Sequence, residues 1–299
     1  MKKTETLQRF DGFGDPRLAF FRKLKKENTR ELFLAHKEAY EAHYVAPMTA
    51  LLTEASAALD RAYPDCDLAA PKVFRLNRDV RFSADKSPYK THAAGVILAR
   101  SGRAVMEAPA ALYVHLEPGD CMVAAGFYMM PKEALARYRE ALLDDARGPA
   151  VAALVKKLEK KGCAVGAGET LKKAPRGVAD DHPRLDLLKK KGLIASIPLD
   201  AAELGSRKVL DRIVAFGKDS APLVRWLVHE ASRLGSAVDH GSPNAFSTFS
   251  TLARRSARPS TGPVPHGGSW QPRLTIPDTP STKLASVMPP STYALSLGR

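Results

Sequence analysis

The chain has 299 residues and a mass of 32.4 kDa; 44% of its residues are hydrophobic and 26% are charged. This composition excludes a wholly disordered, collagen-like or coiled-coil chain, and the length suits one large domain or two modest ones. Lysine and arginine number 46 against 32 acidic residues, and the resulting net charge of +14 favours anionic partners.

The first part of the sequence predicts helices. Residues 17–26 place apolar side chains on one face of a short helix. A longer helical pattern follows over residues 33–59, with apolar residues recurring every three or four positions. Pro47 lies inside this pattern, and we expect it to kink the helix or to divide it in two, because proline has no N–H to donate.

The period then changes to that of β-strands. Residues 96–98 are typical of a buried strand, and residues 112–117 alternate between apolar and polar side chains. A turn at 118–120 leads to a partner strand at 121–130, which is the clearest hairpin signal in the chain. The sequence does not fix the length of this turn. The residue opposite His115 is therefore predicted to be one of three: Cys121, Val123 or Ala125.

Helical patterns return after the hairpin. Pro131 and Pro149 are each expected to open a helix. A strand at 193–197 precedes two more helices, one starting with a capping box at Asp200 and one ending at Gly235. Helices on both sides of consecutive antiparallel strands predict an α+β protein, an antiparallel sheet with a central hairpin flanked by N-terminal and C-terminal helices.

Composition changes sharply after Gly235. Residues 236–299 are rich in proline, serine and threonine, carry six cations and two acids, and show no apolar period. Such a segment cannot bury enough surface to offset its chain entropy, so we predict a single domain at 1–235 and a disordered basic tail at 236–299. Two interpretations of the tail stay open, a flexible extension that contacts a polyanion and a segment without a selected role.

The sequence also predicts a cytoplasmic protein without a membrane partner. The charged start, residues 1–5, is not followed by the apolar stretch of a signal peptide, and no apolar run is long enough to cross a bilayer. Its three cysteines lie far apart and form neither a disulfide framework nor a CxxC pair. They are Cys66, Cys121 and Cys163.

A strongly polar segment precedes the hairpin. Residues 72–91 carry six cations and two acids. Guanidinium groups bind phosphate or carboxylate oxygens in pairs, and neighbouring asparagine, aspartate and hydroxyl groups could orient them. We predict that this segment binds an anionic, phosphate-bearing small ligand; the alternative is an Arg–Asp network that holds a long loop in place. The predicted ligand-binding residues are Arg75, Asn77, Arg78, Asp79, Arg81, Asp85, Lys86, Ser87, Tyr89 and Lys90.

If the protein is an enzyme, His115 and Glu117 are the first catalytic candidates. They lie two positions apart on one strand, so their side chains share a face and could form an acid/base pair beside the bound ligand. The alternative is an exposed sheet face.

His36 and His43 lie two helical turns apart, too far for an ordinary ligand pair, and no metal site is predicted. The sequence leaves the reaction, cofactor and oligomeric state open.

A second basic region offers a different function. Residues 156–191 contain eleven cations and five acids, which could follow a phosphate backbone as a nucleic-acid-binding surface. Aromatic stacking residues are absent there, which favours a solvated helix face instead. A third possibility is an interaction module without a small ligand.

Several motifs resemble one family, the domain-of-unknown-function family 2461. They include Phe74–His92, Tyr113–Gly119, Gly126–Met129 and Leu171–Pro183. Shorter matches are Phe10–Phe13, Asn28–Phe33 and Pro222–Leu227. The resemblance covers about residues 8–234 and ends where the composition changes. It implies a soluble protein of a bacterial and fungal family, strengthens the prediction of an anion site at the polar segment, and supplies no catalytic residue.

Overall fold

The computed structural model describes residues 9–81, 83–100 and 108–232; the predicted tail at 236–299 lies outside them. The helices of the described part fall into an N-terminal group, a pair after the hairpin, a single turn and a long C-terminal helix. They are α1 (Ala19–Lys26), α2 (Arg30–Ala35), α3 (Lys37–Tyr40), α4 (Ala46–Leu59), α5 (Lys132–Leu143), α6 (Arg147–Lys160), α7 (Leu185–Leu188) and α8 (Lys208–Ala231).

The strands form one antiparallel sheet with the order β1-β3-β4-β5-β7-β6, and β2 also pairs with β3. They are β1 (Asp67–Leu68), β2 (Lys72–Val73), β3 (Ala93–Arg100), β4 (Ala110–Glu117), β5 (Asp120–Phe127), β6 (Ala164–Gly166) and β7 (Leu193–Pro198). The predicted α+β class, central hairpin and flanking helices are confirmed. The two-residue strands and β6 carry too few residues to show a period, and the sequence pattern did not reveal them.

The core lies between one face of the sheet and helices α4 and α8. Leu112 and Val114 of β4 are fully buried on this face, and Leu112 approaches Gly217 of α8. A Cβ on Gly95 of β3 would come within 2.5 Å of the Leu52 side chain of α4, so glycine allows the helix to approach the strand closely. The alternation of β4 therefore directs its polar residues to the opposite face of the sheet.

The helical path changes geometry just before Pro47, as predicted. A π-helical turn spans Glu41–Val45, and the N–H of Ala46 donates to the carbonyl of Glu41, five residues back. Pro47 then occupies the first turn of α4, where its missing N–H costs little. Helix α2 ends earlier, at Ala35, so the long pattern contains a second break that its periodicity did not indicate.

The register of the hairpin corrects the predicted neighbour of His115. Gly119, with φ of 88°, sits in a two-residue turn that pairs Glu117 with Asp120. Counting back along both strands places Met122 opposite His115, and none of the three expected residues holds that position. Side chains alternate along a strand. The actual register differs by one residue from those expected, so the odd-numbered residues of β5 do not lie opposite His115.

The C-terminal helices differ from the prediction in number. A single helix, α8, runs through Pro222, because apolar positions on both sides of the proline bury against the sheet and outweigh the lost backbone hydrogen bond. The expected capping box is absent: Asp200 accepts the N–H of Ala202 in a turn, and Glu203 pairs with Arg212 at 3.0 Å. The helix therefore begins at Lys208.

Candidate functional site

The polar face of β4 brings His115 and Glu117 together, as their spacing predicts. The Nε2 atom of His115 lies 3.5 Å from Oε2 of Glu117, and the two side chains are 12% and 22% exposed. On the other side of the ring, Nδ1 of His115 lies 3.2 Å from the hydroxyl of Tyr113. Burial raises the pKa of this phenol, so Tyr113 stays neutral at any physiological pH.

Two other parts of the chain bind the second oxygen of Glu117. The hydroxyl of Thr91 donates to Oε1 at 3.0 Å, and Nζ of Lys25, from α1, lies 3.1 Å from the same atom. Burial raises the pKa of Glu117, but its interactions with His115 and Lys25 outweigh this effect and lower the pKa to about 2. Glu117 is therefore a carboxylate at neutral pH.

His92 completes this group from the end of the polar segment. Its ring centroid lies 4.5 Å from that of His115, and nitrogen atoms of both rings lie within 4.8 Å of each other and of a Glu117 oxygen. We call these residues, His92, His115 and Glu117, the His–Glu cluster. Its geometry suits two kinds of chemistry: a shared proton between His115 and Glu117, or a cation held by all three side chains.

Within the polar segment, Arg78 binds other residues of the same segment. Its side chain is only 12% exposed, and Nη1 donates to Oδ2 of Asp85 at 2.5 Å and to the carbonyl of Ser87 at 3.2 Å. Asp85 in turn accepts the backbone N–H and the hydroxyl of Ser87. These contacts with Ser87 and Arg78 hold the pKa of Asp85 well below its usual range. This set corresponds to the loop-holding network that the residue types also allowed.

Arg81 and Lys86 lie further out on the same loop. The guanidinium of Arg81 is 77% exposed and binds both oxygens of Asp79, at 3.0 and 2.7 Å, which lowers the pKa of Asp79 to about 2. Lys86 donates to the carbonyl of Val80 at 3.1 Å. Both side chains keep the loop folded on itself, at its solvent side.

Arg75 and Lys90 are placed differently. Nζ of Lys90 lies 5.6 Å from the centre of the Phe74 ring, and that ring lies 6.3 Å from Tyr113 on the sheet. Burial and the nearby charge of Arg75 both lower the pKa of Lys90. Within the described residues neither cation forms a salt bridge. The charge of Arg75 nevertheless contributes to lowering the pKa of Asp79. They form a cationic pair beside the aromatic face that leads to His115.

Asn28 fixes this segment to the N-terminal helices. Its side-chain amide donates to the carbonyl of Tyr89 and accepts the N–H of Tyr89, both at 3.0 Å. The Tyr89 ring packs 4.6 Å from Phe33 of α2, and Asn77 forms an isolated bridge with Tyr89. Asn77 and Tyr89 thus serve the shape of the loop.

The sequence-based list omitted several members of the site. They are Lys25, Asn28, Thr91, His92 and Tyr113. The signal for His92 was its position directly before β3, because an antiparallel partner of β4 brings the start of β3 beside the end of β4. Lys25 and Asn28 lie far from their partners Glu117 and Tyr89 in the sequence, Asn28 by 61 positions, and no local pattern relates them.

The cations of residues 156–191 divide among several elements. Lysines of α6 are exposed, whereas Lys161 pairs with Asp219, Lys191 pairs with Glu169 at 2.7 Å, and Arg184 donates to the carbonyl of Leu142. Part of this charge therefore stabilises the fold locally.

A second cluster of possible ligand atoms lies at the far end of α8. Asp65, Cys66 and His229 hold such atoms within 4.8 Å. Arg225 and His229 already bind both oxygens of Asp65. Burial raises the pKa of the Cys66 thiol to about 11, so the thiol is protonated at neutral pH in the absence of a bound ion. This group is an ion-pair network that ties α8 to the loop before β1.

The fold and this site define an α+β protein with a polar cluster on the face of its sheet opposite the main helices. The chain belongs to the family described as conserved hypothetical protein (DUF2461), whose model matches residues 17–226 and so confirms the resemblance. Comparison with curated proteins and with solved structures gives no match. No described helix is long and apolar enough to span a membrane.

Proposed function

We propose that the protein binds an anionic, phosphate-bearing small ligand between the polar segment and the polar face of β4. The observation that carries this proposal is the cationic pair Arg75 and Lys90. Lys90 is half-buried above Phe74, close to a second cation, and neither forms a salt bridge within residues 9–81, 83–100 and 108–232.

The positive charge of Lys90 is partly buried and has no salt bridge within the described residues. Burying an ammonium group costs free energy unless a counter-ion or hydrogen bonds replace its water, and a neighbouring guanidinium adds repulsion. The other acids of the loop, Asp79 and Asp85, are already bound to Arg81 and Arg78. An incoming phosphate would relieve the repulsion and accept charge-assisted hydrogen bonds from both cations.

The remaining predicted ligand residues then divide by role. Arg75 and Lys90 contact the anion, and Phe74 and Tyr113 offer an aromatic wall on which a base or sugar ring could pack. The rest form the scaffold that presents these groups: Asn77, Arg78, Asp79, Arg81, Asp85, Lys86, Ser87 and Tyr89. For turnover of the ligand, His115 and Glu117 are the nearest groups able to transfer a proton.

A thermal-shift screen of the full chain against inorganic phosphate, nucleotides and sugar phosphates tests the proposal. A ligand present at 100 times its dissociation constant stabilises the folded state by about 2.7 kcal/mol, which such a screen detects. For the best ligand, we expect Arg75→Gln and Lys90→Gln each to weaken binding about tenfold or more, since each removes charge-assisted hydrogen bonds.

Arg81→Gln is the matched control, because it removes one charge from the same loop at its exposed end. We expect its dissociation constant to stay within about twofold of that of the natural protein, since the guanidinium of Arg81 is already bound to Asp79 and is not available to the ligand. Equal losses in Arg81→Gln and Arg75→Gln would show a diffuse attraction without a site. The absence of any stabilising phosphate compound would overturn the proposal.

A further inference from the structure

We propose that His92, His115 and Glu117 bind a divalent transition-metal ion of the zinc type. Two imidazoles and one carboxylate are a ligand set that such ions favour, and three protein ligands leave a coordination position open for water or a substrate. The inference rests on the geometry of the His–Glu cluster alone and holds whether or not Arg75 and Lys90 bind an anion.

The spacing of the ligand atoms is close to what an ion requires. Zinc bonds to nitrogen and oxygen of about 2.0–2.1 Å place the ligands of a tetrahedral site about 3.3 Å apart. Nε2 of His115 and Oε2 of Glu117 are 3.5 Å apart. A nitrogen of His92, a nitrogen of His115 and an oxygen of Glu117 all lie within 4.8 Å of one another.

The neighbours of these side chains are arranged as supports of metal ligands usually are. Metal-binding histidines commonly use their second nitrogen in a hydrogen bond that fixes the tautomer. Nδ1 of His115 has Tyr113 at 3.2 Å, and an Nδ1–H donating to the phenol oxygen leaves the lone pair of Nε2 for the ion. Thr91 and Lys25 both bind Oε1 of Glu117, so Oε2 faces the histidines.

The environment favours an ion at this place. The side chains of His115 and Glu117 are only 12% and 22% exposed, so the carboxylate offers an ion a largely desolvated ligand oxygen. Lys25 partly compensates this charge from the solvent side. With a divalent ion bound, the local charge becomes positive, and the open position would attract an anion.

The second group with metal-like spacing lacks these features. Both oxygens of Asp65 are already bound by Arg225 and His229, and the guanidinium of Arg225 adds a positive charge that disfavours a cation there. This contrast gives the experiment an internal control.

The test is calorimetric titration of Zn²⁺ into the full chain, prepared without a histidine tag and treated with chelator. We expect one ion per chain with a dissociation constant of about 1 µM or lower. His92→Gln and Glu117→Gln should each weaken binding at least about 100-fold, since loss of a ligand exceeds the 10–100-fold effect of a supporting residue. Tyr113→Phe should weaken binding about tenfold.

His229→Ala and Asp65→Asn are the controls and should bind Zn²⁺ as the natural chain does. Circular dichroism of each variant establishes that it is folded, and Co²⁺ substitution gives a direct readout, since its visible absorption reports nitrogen and oxygen ligands. The proposal is overturned if no stoichiometric Zn²⁺ binds, if binding survives both His92→Gln and Glu117→Gln in folded protein, or if only the Asp65 and His229 variants lose it.

Discussion

At the scale of single residues, cations of the same type have different roles because their surroundings differ. Arg78 lies inside the loop and pairs with Asp85, Arg81 lies outside it and pairs with Asp79, and Arg75 pairs with no carboxylate of the described part. A charge that is desolvated and paired contributes to stability, and removing one partner leaves the other uncompensated. Exposed pairs contribute little.

This difference predicts the effect of Asp85→Asn. The pKa of Asp85 is lower in the folded chain than its ordinary value of 3.8, so the ionised carboxylate favours folding. The contribution is complete above about pH 4 and is lost as the pH falls below that value. We expect Asp85→Asn to lower the free energy of unfolding by about 1 kcal/mol at pH 7, since Asp85 is partly exposed, and by less at pH 2–3.

Urea denaturation at several pH values measures this effect. Asp79→Asn is the control, because its partner Arg81 is exposed to solvent, and we expect a smaller loss of unfolding free energy at pH 7 than Asp85→Asn causes. A destabilisation by Asp85→Asn that does not depend on pH would contradict the assignment, since it would show that the effect comes from the shape of the turn.

At the scale of elements, the site is assembled by the connections between secondary structures. The polar segment runs from β2 to β3 and passes over Asn28, which lies between α1 and α2. Its two hydrogen bonds to Tyr89 mimic the pairing of a strand and hold the end of the segment near β4. The positions of Thr91 and His92 therefore depend on a residue that does not touch the His–Glu cluster.

Asn28→Ala should loosen this connection. We expect faster amide hydrogen exchange over residues 76–92, because the N–H and carbonyl of Tyr89 lose their partners, while the central strands β4 and β5 keep their protection. Hydrogen-exchange mass spectrometry resolves the two regions. Thr29→Ala, which removes a hydroxyl that accepts the N–H of Leu32, is the neighbouring control. Equal changes in both regions would contradict a local role for Asn28.

At the scale of the whole molecule, the start of the described chain is joined to the start of α8 and to α4. Arg207 donates to the carbonyl of Phe10 at 2.7 Å and to both oxygens of Glu54, which also accepts the N–H of Phe10. Buried apolar residues extend from Phe10 to Ala231 as one main cluster on the helix side of the sheet. The family match, 17–226, falls inside the same span.

Removal of residues 236–299 should therefore leave the folded part intact. We expect the midpoint of thermal unfolding to change by less than about 2 °C, which corresponds to about 1 kcal/mol or less for a domain of this size. Calorimetry of the truncated and full chains measures this directly. A fall of about 5 °C or more would show that the segment packs against the domain and that the predicted boundary at Gly235 is wrong.

Local patterns in the sequence determined a large part of the fold. Alternation identified β4, the turn at Gly119 identified the hairpin, and apolar spacing identified α5, because these features depend on the period of a single element. The shared face of His115 and Glu117 follows from the same rule. Pro222 shows the limit of such patterns, since burial on both sides keeps α8 intact across a residue that usually ends a helix.

The tertiary structure decided which distant residues meet. The placement of Met122 opposite His115, the pairing of Arg78 with Asp85, and the convergence of Lys25 and His92 on Glu117 depend on turn lengths and on the path of loops. The sequence determined which groups could bind an anion or a metal. Only the folded chain decided which of them are near each other, because contacts across dozens of positions are set by packing between elements and not by the period within one.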